Sequence, residues 1–121
     1  MPKLDPFEVF TFYHLGYDEN FRYKFRNLHE AARYFRIAPE QLQAFMLENR
    51  IDAETIRHVD FNLSQAHADA QMAEMDGVSV DARRNLARRA FEQYQGAVRD
   101  TFDKRKEFDD VNWDDPLGRG V

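Results

Sequence analysis

A chain of 121 residues, 43% hydrophobic and 32% charged, is long enough for one modest core and too apolar to stay disordered. Its lack of cysteine excludes disulfides, thiolate metal sites and thiol nucleophiles, and a net charge of −5 argues against wrapping nucleic acid with the whole surface. The opening MPKLDPFEVF carries neither a basic leader nor a long apolar run, so the expectation is a soluble, cytoplasmic protein without a membrane span.

Eight of the eleven phenylalanines and four of the five tyrosines precede residue 62. Charge is blocked as well: residues 52–76 sum to −5, residues 77–106 to +4, and residues 107–121 to −4.

In chain order, Asp5, Pro6 and Glu8 make a capped helix start. VFTFYH is instead rich in strand formers, and FRYKFR alternates, with Phe21, Tyr23 and Phe25 on one face and Arg22, Lys24 and Arg26 on the other. With Gly16, Asp18 and Asn20 as a turn, residues 8–14 and 21–26 fit a β-hairpin. The helical spacing of Phe21, Phe25, Leu28, Ala32 and Phe35 fits one helix over 20–35. The hairpin is preferred, because Asn27 and Glu30 form a fresh capping box.

Residues 28–36 read as a helix burying Leu28, one of Ala31 and Ala32, and Phe35. Pro39 opens the next, with Leu42, Phe45 and Met46 inward. From Asp52 a longer helix is predicted to Met75, since Ile56, Val59, Leu63, Ala66, Ala70 and Ala73 keep a 3,4 spacing. Gly77 is its left-handed stop, and Ser79 caps a second long helix with the stripe Ala87, Ala90, Phe91, Tyr94, Ala97 and Val98. The short connection predicts an antiparallel pair, with Asp60, Asp69, Glu74 and Asp76 compensating Arg83, Arg84, Arg88 and Arg89.

The fold expectation is therefore mainly α. An aromatic-rich unit spans 1–51, a helical hairpin 52–106, and an acidic C-terminal tail 107–121 that Phe108, Val111 and Trp113 would pin down.

Within the first unit, Ala32 sits inside one helix, Ile37 ends the turn, Ala38-Pro39 opens the next helix, and Leu42 and Phe45 anchor it. In these positions residues 27–50 resemble the helix-turn-helix of MerR-like and excisionase-like DNA-binding domains, with Arg36 where that family commonly has glycine. The resemblance implies DNA reading by Gln41 and Gln43, with Arg22, Lys24, Arg26 and Arg36 toward phosphates. The charge disagrees, because Glu40 and Glu48 stand on the outward face of the second helix.

DARRNLARRAF could track phosphates, but the neighbouring acidic blocks compensate it. No two of the four histidines are spaced i, i+4 for a metal. DVNWDD lacks the glycine and the final glutamate of a calcium loop. Ser64 and Ser79 lie in no nucleophile elbow, and the glycines are scattered. Neither catalysis nor a cofactor is expected.

Phe61 falls off the helical seam, alongside Ala68 and Met75. The leading expectation is a non-enzymatic protein-interaction or self-assembly module that uses Phe61, Met75, Arg88 and Arg89. The alternative is a DNA-binding transcriptional regulator that dimerises through the hairpin.

Overall fold

The Asp5 carboxylate accepts the Glu8 N–H at 3.1 Å and Pro6 takes the first helical position, so α1 (Pro6–Val9) starts where its capping residues dictate. The computed structural model describes the backbone of residues 4–114 and the side chains of residues 4–102. The packing expected for Phe108, Val111 and Trp113 in the acidic tail lies outside the described residues.

Beyond α1 the helix widens into a π-helical segment, Phe10–Leu15, closed by Gly16 at φ 87°. The β-hairpin expected at 8–14 and 21–26 does not form. Its first arm is helical, and among the described residues the extended contact reduces to one antiparallel bridge between Tyr17 and Tyr23. The physical reason is burial: of the π segment only Tyr13 is not buried. A helix enclosed on nearly every side has no polar face, so its sequence carries no helical period and mimics a strand.

Asn27 and Glu30 close both arms of a capping box, at 2.8 and 3.0 Å, and start α2 (Leu28–Phe35). Arg36 ends it in the left-handed region at φ 62°, and Pro39 opens α3 (Pro39–Glu48). Asp52 then caps α4 (Ala53–His58).

The continuous helix expected over 52–75 is broken. Val59 is extended, and Asn62 caps a new helix, α5 (Leu63–Met75), by accepting the Gln65 N–H at 3.0 Å. The break delivers Phe61, which a straight helix would hold off the seam, to the rings of Phe10 and Tyr94 at 6.2 and 5.3 Å. Gly77 at φ 74° and the Ser79 hydroxyl then separate α5 from α6 (Val80–Asp114).

One hydrophobic core runs across residue 51. Phe10 is its centre, with Phe91 at 5.2 Å and Tyr94 stacked at 5.4 Å. Two buried tyrosines fasten distant segments to it: the Tyr17 hydroxyl donates to the Ala70 carbonyl at 2.6 Å, and the Tyr94 hydroxyl to the Arg50 carbonyl. The π segment packs against α2, α5 and α6, which makes this buried, aromatic-rich stretch the hub of the fold.

Candidate functional site

The aromatic surplus of the first half gathers beside a cleft of about 530 Å³. Its walls come from the start of α1, the π segment, the 17–21 loop, the end of α2 and the start of α6. Phe7, Phe12, Phe21 and Tyr34 provide ring surface, while Asp5, Glu8, Asp18 and Glu19 provide carboxylates.

Three arginines lie on these rings. The guanidinium carbon of Arg88 is 4.0 Å from the Phe7 centroid, that of Arg26 is 4.4 Å from Phe12, and that of Arg84 is 5.1 Å from Phe21. Such cation–π contacts contribute about 0.5–1 kcal/mol each where exposed and more where desolvated. Of the arginines expected in an ion-pair seam between the two long helices, Arg84 and Arg88 lie on rings instead. Arg83 donates to the Val78 carbonyl at 2.6 Å and Arg84 pairs with Asp81 of its own helix at 2.7 Å. Among the described residues no ion pair reaches Glu74 or Asp76. The aromatic faces beside α6 are better partners than exposed carboxylates, whose pairs with arginine gain little in water.

Tyr34 completes the wall. Its ring stacks on Phe12 at 4.0 Å, and its hydroxyl pKa is raised, by partial burial first and then by the neighbouring Glu19 carboxylate. Thr11, buried at the base, has an Oγ1 without a hydrogen-bond partner.

A wider groove of about 940 Å³ borders Tyr13, Phe25, Asn62 and His67. The carbonyl of His14 can only accept, so His67 Nδ1 carries the proton and donates to it at 3.0 Å, leaving Nε2 to accept from the Tyr23 hydroxyl. His14 Nε2 donates to the Ile51 carbonyl at 2.6 Å, and burial lowers the His14 pKa to about 4 against the opposing effects of that bond and of Asp52.

Of the residues expected to contact DNA, Arg22, Lys24, Arg36, Gln41 and Gln43 are exposed and Arg26 is half-buried. Arg22 is exposed, and Lys24 pairs loosely with Glu30 at 3.9 Å. Arg26 turns inward and donates to the carbonyls of Gly16 and Lys24 as well as covering Phe12. The alternating face is lost because no strand imposes it. Gln41 accepts the Ala38 N–H at 2.9 Å as part of a helix cap, whereas Gln43 and Arg36 are exposed.

Of the residues expected to meet a partner, Phe61 packs within the chain and Arg88 covers Phe7. Arg89 is exposed beside the groove between α5 and α6, and Met75 is 68% exposed. Sequence reasoning missed the cleft. Its lining residues come from several elements with no shared spacing, and the only available signal was the density of aromatics among alternating charges.

Among the described residues no group of three or more metal-ligating side chains gathers, and no helix is long and apolar enough to cross a membrane. No protein-family model, curated protein or solved structure matches the chain.

Proposed function

We propose that the protein is a non-enzymatic interaction module whose docking surface is the turn between α5 and α6. The observation that carries this reading is a run of outward apolar side chains at that turn: Met72 and Met75, 51% and 68% exposed, with Val78 and Val80. Four exposed apolar side chains within nine residues favour a surface that meets a partner, and methionines adapt to irregular ones.

Glu74 and Asp76 neighbour these side chains along the chain and make no ion pair among the described residues, so the occupant is a protein with an apolar centre and a basic rim rather than a second copy bearing the same acids. An antiparallel α5–α6 pair presents this tip. Its support is the short 76–79 connection and the groove that Asn62, Gln65 and Asp69 share with Leu86, Arg89 and Gln93.

The test is a photo-crosslinking residue placed at position 75 or, as control, at position 43. A discrete protein adduct at 75, absent at 43 and lost with Val78→Glu, supports the module. Absence of any adduct at 75 overturns it.

The alternative, a regulator that reads DNA through α2 and α3, draws support from the left-handed Arg36 at their turn. It requires salt-sensitive retention of DNA fragments, weakened by Arg22→Ala or Gln41→Ala.

A further inference from the structure

We propose that the cleft between the π segment, α2 and α6 binds a guanidinium or alkylammonium group, seated on the outer face of Tyr34 beside Glu19. The chain uses this mode with its own side chains. Arg26, Arg84 and Arg88 lie over Phe12, Phe21 and Phe7, so this cluster of rings already accepts guanidinium faces.

Of the three lining rings without one, Tyr17, Tyr34 and Phe35, only Tyr34 is exposed. A ring has two faces, and those of Phe12 are covered by Tyr34 on one side and Arg26 on the other. Tyr34 stacks one face on Phe12, meets Phe35 edge-on at 5.0 Å, and remains 39% exposed.

The charge around it is unbalanced toward a cation. Four carboxylates line the cleft against two guanidiniums, those of Arg84 and Arg88. Asp5 is engaged by the Glu8 N–H, and Asp18 by the N–H groups of Asn20 and Arg22 and by Arg26 at 3.8 Å. Glu8 and Glu19 make no ion pair among the described residues.

Thr11 is an independent observation. It is 4% exposed at the base of the cleft, and its unpartnered Oγ1 would accept an N–H entering from above. A volume of about 530 Å³ suits one long basic side chain with adjoining atoms. The proposal does not rest on the α5–α6 tip, since its probes are small cations read at a different set of residues.

The experiment is an amide-resolved NMR titration of the full chain with N-acetyl-arginine methylamide, its neutral citrulline counterpart, and the peptide Gly-Gly-Arg-Gly-Gly. The arginine probe is expected to saturate shifts around Thr11, Glu19 and Tyr34, and citrulline to bind at least tenfold more weakly. Glu19→Gln is expected to weaken arginine about tenfold and Tyr34→Leu further, while Glu48→Gln on α3 changes nothing. Tighter binding of the peptide than of the capped amino acid assigns the cation to a protein side chain; equal binding assigns it to a free small molecule. Equal affinity for citrulline, an unaltered Glu19→Gln titration, or no saturable shift at the cleft overturns the proposal.

Discussion

The Tyr17 hydroxyl reaches 53 residues along the chain to donate to the Ala70 carbonyl at 2.6 Å, joining the aromatic N-terminal unit to α5. Tyr17→Phe is expected to lower unfolding free energy by about 1 kcal/mol, since the carbonyl belongs to a helix and loses only its second partner. Burial raises the Tyr17 pKa to about 12, and burial also raises that of Tyr94. The unfolded chain therefore ionises first. Stability should hold below pH 10, the ordinary tyrosine value, and fall as pH rises toward 12, with a shallower fall in Tyr17→Phe. Urea unfolding across this range checks both expectations.

Acid acts through a different residue. Burial holds His14 neutral with a pKa of about 4, against 6.5 in the unfolded chain. Above pH 6.5 its contribution is complete; as pH falls from there toward 4 the unfolded state takes up a proton that the folded state refuses. The loss should approach about 3 kcal/mol. His14→Gln, which keeps an N–H donor for Ile51, should flatten the pH dependence in that window.

Arg36 occupies left-handed backbone at φ 62° and ψ 44°. Arg36→Gly removes the steric cost of a side chain there and is expected to stabilise the protein by up to about 1 kcal/mol in thermal or urea unfolding. If Arg36 also touches phosphate, the same variant should be more stable yet weaker on DNA.

Phe61 and Met75 separate packing from docking. Phe61→Ala, which deletes a ring between Phe10 and Tyr94, should cost about 3 kcal/mol and leave partner crosslinking intact under native conditions. Met75→Glu should change stability by less than about 0.5 kcal/mol and abolish the crosslink introduced from the adjoining Val78 position. Reversed outcomes would move the docking surface away from the tip.

Gly16 combines a positive φ of 87° with the closest backbone approach among the described glycines, since an added Cβ would stand 2.9 Å from the Lys24 carbonyl oxygen. Gly16→Ala should destabilise by well over 1 kcal/mol, on the order expected when native φ excludes the new residue. Loss of the Tyr17–Tyr23 bridge would appear as faster amide exchange at Lys24, whose N–H donates to the Gly16 carbonyl at 2.9 Å.

The sequence by itself determined several helix boundaries. Asp5, the Asn27–Glu30 box, Pro39, Gly77 and Ser79 act through bonds or backbone preferences that reach three or four residues, and each does so here. It also determined a mainly helical chain, because the amphipathic stripes of α2, α3 and α6 face a core whichever partner they meet. Only the tertiary structure decided the shape of residues 10–15, the break at 59–62 and the direction of the arginines. The π segment is helical because its neighbours enclose it, and α4 stops so that Phe61 can join rings contributed by residues 10 and 94. Arg26, Arg84 and Arg88 turn to aromatic faces that come together only on folding. Such choices depend on contacts between residues tens of positions apart, and a chain read locally carries no record of which distant surface will be nearest.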